Sequence, residues 1–287
     1  MLAPAITDLR AEDLLAIGAR LGRPGRGAVQ ITRRAGVTAT RLRGQGHEIR
    51  EIRPYTEGDD LRHLDAAATA RSGSLQVRSF QEDRDRSVML IADFCPPMLW
   101  GTRGRFRSIA AAEALAVAGW QAVLAGGSAG VVALTASGLV AERAAARARG
   151  MARVAGCLAR AHAAALEAPE AAVPDLAQML AGAARLAPRG AAVVLATGFD
   201  DPGEGIEQVL AGILRRGPLR IELTEDRFEL SPPAGALPYR IGTGPARLGD
   251  FTALPARRAD LVRRLEQLGA QVERLATDAP LALEPAP

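Results

Sequence analysis

The sequence predicts an α/β fold in which an open, mostly parallel sheet is covered by helices on both faces. The first observation is the run at residues 88–92, whose uninterrupted apolar character is typical of a strand buried on both sides. The second is that similar runs, at 131–134 and 191–196, alternate with segments of helical period. Because strands separated by helices pair in parallel, these runs are expected to lie in one sheet.

The first half of the chain contributes a helix, an ambiguous segment and a strand–helix–strand unit. Leu14, Ile17 and Leu21 form one stripe of a helix over residues 7–21, with Asp8 near its start, where a carboxylate suits the helix dipole. The segment 47–53 is either a strand or an extended arm. The strand 87–93 is followed by an alanine-rich helix at 106–124, which two glycines end before the strand at 131–134.

The second half continues the alternation of helices and strands. Helices are predicted around 151–158 and over 175–186, followed by the strand at 191–196 and a helix at 206–214 that a Gly-Pro pair ends. Residues 219–223 alternate apolar and charged side chains, which indicates a strand with one wetter face, nearer the sheet edge. Leucines at helical spacing predict a last helix over 261–268.

The 287 residues suffice for one large α/β domain, or for one domain with a smaller accessory lobe. We expect an N-terminal accessory segment at 1–84, the sheet domain at 85–278 and a Pro/Ala-rich, frayed tail at 279–287.

All 36 basic residues are arginine, since the sequence contains no lysine. This composition excludes a phosphate-binding P-loop lysine and Schiff-base chemistry. The arginines, among them those at 103, 105 and 107, are scattered, which favours a solvated, salt-bridged surface; an arginine-rich surface that binds nucleic acid or an anionic membrane is the alternative. With only 3% aromatic residues for base stacking, nucleic acid is not the expected partner.

The sequence contains no apolar run long enough to span a membrane. Its first residues lack the pattern of a signal peptide, and it contains 2 cysteines. We therefore expect a cytoplasmic protein without a transmembrane segment.

Motifs for catalysis do not fit their required contexts. The G-x-S-x-G match at 126–130 lies between a helix and a strand, whereas a nucleophile elbow needs a strand before its serine and a helix after it. His47, His63 and His162 have no metal-ligand spacing. Cys95 follows a strand end, where it is either a small packing residue or a thiol nucleophile; the first interpretation is favoured because no partner is identifiable. We predict no catalytic residue, no cofactor and no small-molecule substrate.

The most specific segment begins at residue 53. It reads R-P-Y-T-E-G-D-D-L-R-H-L-D-A, and A-R-S-G-S-L follows at residue 70. It resembles the signature of a bacterial family known as domain of unknown function 58 (DUF58). In that family the signature precedes the first strand of a von Willebrand factor A-like (vWA), Rossmann-like domain. The matching signature residues are Arg53, Tyr55, Gly58, Asp59, Asp60, Arg62, Asp65, Arg71 and Gly73. Ala66 departs from the pattern, since the family usually has tryptophan there.

The charges of this signature interleave at short spacing, while its glycines suit turns. Two interpretations stay open. The block is either a charge-assisted hydrogen-bond network that ties the accessory segment to the sheet or a surface that docks a partner.

The resemblance also implies where a metal site would lie. Many vWA domains bind a divalent cation through D-x-S-x-S after the first strand, with a threonine and an aspartate from later loops. Asp93 matches the first position, but Cys95 and Pro97 replace the serines, Pro174 replaces the threonine and Gly198 replaces the aspartate. Magnesium requires an oxygen shell, so we predict a degenerate site without metal, unless Asp175, Asp200 or Asp201 compensates.

The resemblance implies a non-catalytic interaction or scaffold module, because members of the family are commonly encoded beside MoxR-type AAA ATPases and are thought to help them assemble or mature protein complexes. The expected partner is therefore such an ATPase. The loops at the carboxyl ends of the strands are the expected partner surface. Its candidate residues are Phe94, Met98, Trp100 and Phe199. Burial of the first three under a neighbouring helix is the open alternative.

Overall fold

Helices and strands alternate along the chain as the sequence predicts. The structure, a computed structural model, describes residues 7–22, 49–56, 64–80, 87–169, 171–240 and 244–283. In chain order the elements are α1 (Ala11–Leu21), β1 (Ile49–Pro54), α2 (Ala66–Ser72), β2 (Gln76–Phe80), β3 (Ser87–Asp93), α3 (Arg107–Leu124), β4 (Ser128–Thr135), β5 (Gly138–Ala146), α4 (Arg147–Leu166), α5 (Leu176–Leu186), β6 (Ala192–Thr197), α6 (Ile206–Arg216), β7 (Leu219–Glu225), α7 (Arg227–Leu230), β8 (Ala236–Tyr239), β9 (Arg247–Asp250), α8 (Leu254–Gln267) and β10 (Gln271–Ala276).

A six-stranded sheet in the order β10-β7-β6-β3-β4-β5 forms the centre of the fold. Every neighbouring pair is parallel except β4 and β5, which are joined by a tight turn and pair antiparallel. In β3, Leu90 lies opposite Val131 on one side and Val194 on the other. The three runs predicted to be central are therefore adjacent, and the α/β, vWA-like fold predicted from the sequence is confirmed.

Helices cover both faces of this sheet. Leu90 and the residues alternating with it pack against α1, α3 and α4. Ile91 and its alternating neighbours pack against α5, α6 and α8 on the other face. Successive side chains of a strand point to opposite faces, so covering both faces favours a strand that is apolar throughout, as β3 is between its terminal residues Ser87 and Asp93. Burying one such leucine or isoleucine contributes roughly 1.5–3 kcal/mol to folding. Strand β3 therefore stabilises the packing of helices on both faces of the sheet.

The strand β7 carries charged residues yet lies inside the sheet, because β10 pairs along its outer side. The expected wetter face is wrong, because β7 is buried almost throughout, but its expected place near the sheet edge holds, since it is the neighbour of the edge strand β10. Arg220 Nε lies 3.0 Å from Glu222 Oε1, and both side chains are largely buried. Burial raises the pKa of Glu222 to about 7.

The chain divides into two compact units, one of residues 1–33 and 87–287 and one of residues 34–86. Helix α1, which the predicted boundaries place in the accessory segment, belongs to the unit of the sheet. It buries Leu14 and Ile17 against α3 and α4, and Trp120 Nε1 donates a hydrogen bond of 3.1 Å to the Leu14 carbonyl. From the predicted tail, Leu281 and Leu283 pack partly against the same apolar cluster.

The described part of the 34–86 unit is a two-stranded antiparallel sheet of β1 and β2, with α2 between them in sequence. The segment around 49–53, for which strand and extended arm were open, is thus a paired strand. Asp65 caps α2 by accepting a hydrogen bond of 2.8 Å from the Ala68 amide. Gly73 ends α2 with φ of 70°, a left-handed conformation that favours glycine.

Within the described ranges, no helix is both long and apolar enough to cross a membrane.

Candidate functional site

The loops that follow β3, β6 and β7 meet at one edge of the sheet, where the carboxyl ends of the parallel strands lie. Asp93 is the last residue of β3, and Gly198 directly follows β6. Ligand sites of open α/β sheets form at this edge. This edge is therefore where a functional site is expected.

Both carboxylate oxygens of Asp93 accept hydrogen bonds inside the protein. Oδ1 accepts from the Cys95 amide at 3.0 Å, and Oδ2 accepts from the Thr197 hydroxyl at 2.7 Å. The side chain is buried, and burial raises its pKa above the ordinary value for aspartate. Asp93 thus holds the loop after β3 to the end of β6. The contact with Thr197 was not predicted.

The two positions where serines would ligate a metal have other roles. Cys95 is a buried free thiol whose pKa is raised, first by burial and then by the neighbouring Asp93. A protonated, buried thiol is a poor nucleophile and metal ligand, as expected for a packing residue. Pro97 lies in a single 3₁₀ turn, and its carbonyl accepts a hydrogen bond of 3.2 Å from Arg107 Nη1.

Arg107, the first residue of α3, places a fully buried guanidinium beneath these loops. Its Nη1 and Nη2 lie 3.1 Å and 2.9 Å from the two carboxylate oxygens of Asp200, and Nη2 donates to the Thr224 carbonyl at 3.2 Å. Its Nε lies 3.6 Å from Glu229 Oε2. Burial opposes the charged form of Arg107, but the carboxylates of Asp200 and Glu229 outweigh it, so its pKa is raised.

A second buried guanidinium, that of Arg258 from α8, completes the cluster. It donates to the Gly198 carbonyl, to Glu229 and, at 3.2 Å, to Asp200 Oδ1. Glu229 in turn accepts a hydrogen bond of 2.8 Å from the Asp226 amide, within a capping box at the start of α7. Two arginines and two carboxylates from four segments are thereby joined in one charge-balanced network. The composition had suggested that Arg105 and Arg107 are solvated, which is wrong because both are buried.

This network explains why residue 198 is a glycine. A Cβ at this position would overlap Arg107 Nη2 and lie 2.5 Å from Cζ of the same guanidinium and 2.6 Å from Asp200 Oδ2. The guanidinium therefore occupies the space that any side chain at 198 would enter. The next residue, Phe199, has φ of 52°, which is a strained conformation for a non-glycine residue.

The remaining candidate metal positions have structural roles. Pro174 precedes Asp175, which caps α5 by accepting a hydrogen bond of 3.0 Å from the Gln178 amide. Asp200 pairs with the two arginines, and Asp201 is exposed. Across the described residues no group of three or more His, Cys, Asp and Glu side chains is placed to hold a metal ion. With the oxygens of Asp93 already hydrogen-bonded and a guanidinium beside Gly198, the residues present do not fit a divalent cation.

The predicted partner surface is mostly core. Phe94 and Met98 are completely buried, and Phe199 is 6% exposed. Phe94 packs edge to face with His162, and Met98 Sδ accepts a hydrogen bond of 3.6 Å from the Thr224 hydroxyl. These three residues are corrected to packing residues.

Trp100 differs from them because it is partly exposed and its ring lies 5.5 Å from the Arg107 guanidinium carbon. Of the four candidate residues, Trp100 alone keeps a face that a partner could reach.

A serine–histidine pair lies in the core close to Phe94. Ser108 Oγ and His162 Nε2 are 2.9 Å apart, and both side chains are almost completely inaccessible. Burial lowers the pKa of His162 to about 4, so the ring is neutral at pH 7. Since a substrate cannot reach this pair, we assign it to packing rather than to hydrolysis.

The charged signature is described in part. Gly58, Asp59, Asp60 and Arg62 lie outside the described residues. Arg53 lies in β1, Tyr55 donates from its amide to the Leu75 carbonyl at 2.8 Å, and Arg71 is exposed in α2. Both interpretations of the block, hydrogen-bond network and docking surface, stay predictions.

The comparisons with known proteins agree with the signature. Uncharacterized proteins of Mycobacterium bovis and of two strains of Mycobacterium tuberculosis are 29% identical to the chain over 248 residues, which cover 82% of this chain and 76% of each relative. The model of the family described as "Protein of unknown function DUF58" matches residues 51–238, more than half of the sequence, and the chain therefore belongs to the DUF58 family.

Proposed function

We propose that the chain is a non-catalytic protein-association module that works with a MoxR-type AAA ATPase in the assembly or maturation of protein complexes. The observation that carries the proposal is the network of Arg107, Asp200, Glu229 and Arg258, in which the side chain of Asp200 is partly exposed and the other three are buried. It fills the space at the ends of β6 and β7, where open α/β sheets commonly bind ligands. What this edge offers is a preformed set of loops.

Rigid loops favour association because little conformational entropy is lost on binding. Asp226 adds to the rigidity. It accepts hydrogen bonds from the Thr102 amide at 2.8 Å and the Thr277 hydroxyl at 3.0 Å, which joins the loop after β3 to the end of β10. Trp100 lies in the same loop, two residues before Thr102, as a partly exposed aromatic residue, the type that dominates interface energies.

The MoxR-type partner comes from the family resemblance and gives the proposal its direct test. We expect the purified chain to bind a MoxR-type ATPase from the same genome, measured by calorimetry in the presence of ATP or ADP. Trp100→Ala should weaken this binding by about 1–3 kcal/mol while leaving the melting temperature nearly unchanged.

Leu186→Ala is the matched control. Leu186 is 50% exposed, but it ends α5 at the opposite edge of the sheet. Equal binding by wild type and Trp100→Ala would remove Trp100 from the interface. Absence of binding in both nucleotide states would remove the ATPase as partner.

The structure weakens the arginine-surface alternative, since Arg105, Arg107 and Arg258 are buried and engaged with protein acceptors. Binding of the wild-type chain to DNA or to anionic vesicles, with a steep loss of affinity as salt rises, would restore that alternative.

A further inference from the structure

The guanidinium of Arg107 lies among oxygen atoms from β7 and from two of the loops that would supply metal ligands in a vWA domain, those after β3 and β6. Its acceptors are the Pro97 carbonyl after β3, Asp200 after β6 and the Thr224 carbonyl in β7, all between 2.9 and 3.2 Å away. The side chain has no exposed surface. A buried cation that donates to several oxygen acceptors performs the electrostatic task of a bound metal ion, which is to hold segments with partial or full negative charge together.

The position of Gly198 links this arginine to the lost metal ligand. The family resemblance places an aspartate at 198, but a Cβ there would overlap Arg107 Nη2. An aspartate at 198 and the observed position of Arg107 therefore exclude each other. The glycine makes the room that the guanidinium fills.

The balance of charges in the cluster also supports a cationic role for Arg107. Arg107 and Arg258 balance Asp200 and Glu229, with Asp93 held separately by Thr197 and Cys95. Without Arg107 the carboxylates of Asp200, which is partly exposed, and of the buried Glu229 would outnumber the guanidinium of Arg258. The uncompensated negative charge would attract a cation.

We infer that Arg107 is the resident cation of this edge and replaces, within the chain itself, the divalent ion of metal-binding vWA domains. The inference is independent of the ATPase partner, since it concerns only how the loops are held. It implies that a latent cation site appears when the charge of Arg107 is removed.

The test compares Arg107→Gln, which removes the charge but keeps a polar side chain, with Arg107→Lys, which keeps the charge. Thermal unfolding of the full chain is followed with and without millimolar Mn²⁺. We expect Mn²⁺ to raise the melting temperature of Arg107→Gln by about 4 °C or more in a saturable way. Wild type and Arg107→Lys should not respond, and adding Asp200→Asn to Arg107→Gln should abolish the response.

A folded Arg107→Gln variant that ignores Mn²⁺, or an equal response in Arg107→Lys, overturns the inference. If Arg107→Gln does not fold but Arg107→Lys does, a cation is required at this place and the inference stands. If neither variant folds, the shape of the side chain and not its charge is what the edge requires, and the inference fails.

Discussion

Gly198→Ala is the smallest change that should disrupt the buried network. The new Cβ would overlap Arg107 Nη2 and lie 2.5 Å from its Cζ. The end of an exposed arginine could move away cheaply, but this guanidinium is fully buried and bound on several sides. To make room it must give up contacts with Asp200 and Thr224, and a buried guanidinium that loses its charge partner costs about 3–5 kcal/mol. We expect a loss of that size in the free energy of unfolding.

The assay is urea denaturation at pH 7, followed by far-ultraviolet circular dichroism. Gly212→Ala is the control, because Gly212 lies inside α6 and a Cβ there would meet its nearest neighbour, Arg215, at 3.7 Å. That variant should gain about 0.5–1 kcal/mol from helix propensity.

A double-mutant cycle then isolates the cause of the loss in Gly198→Ala. In the background of Arg107→Gln, whose shorter side chain ends before this space, the cost of Gly198→Ala should fall below about 1 kcal/mol. The steric argument is refuted if Gly198→Ala costs less than about 1 kcal/mol in the wild type, or if its cost is the same in both backgrounds.

Three further predictions concern other parts of the molecule. Burial lowers the pKa of His162 from 6.5 to about 4, so between these pH values the unfolded chain binds a proton at His162 and the folded chain does not. As the pH falls from 6.5 to 4, the stability advantage of wild type over His162→Gln should therefore decrease by up to about 3 kcal/mol. A difference in unfolding free energy that stays constant over this range would contradict the prediction. Titration of the wild-type chain with millimolar Mg²⁺ should give no site-specific heat in calorimetry, whereas a saturable signal that disappears in Asp93→Ala would show a metal site. Gly18→Ala should lower the melting temperature despite better helix propensity, because its Cβ would lie 2.6 Å from the Trp120 ring, and unchanged or raised stability would refute that contact.

The central strands could be predicted because burial on both faces produces a recognisable pattern in the sequence. Strands β3 and β6 are buried almost throughout and read as continuous apolar runs. The edge strands β5 and β10 lack this pattern, since they are only partly buried and carry charged residues such as Glu142 and Arg274. The sequence rule that identifies a strand by its apolar run therefore finds the middle of this sheet and misses its edges.

The same reasoning explains why the candidate site was only half predicted. Asp93 could be placed because a strand ends there, whereas the role of Arg107 depends on Asp200, in the loop after β6, and Glu229, in α7, which are both distant in sequence. A lone arginine near the start of an alanine-rich helix gives no sign of burial, and it was assigned to the solvated surface. A sign of the buried arginine is available at Gly198, where the missing aspartate by itself predicts only the loss of a ligand. A glycine in place of a ligand also creates space, and a cationic side chain from elsewhere in the chain can use it. In DUF58 chains of this kind, we therefore expect a glycine at this position to accompany an arginine at the first residue of the helix after the first central strand, and an aspartate there to accompany a small or neutral residue in place of that arginine.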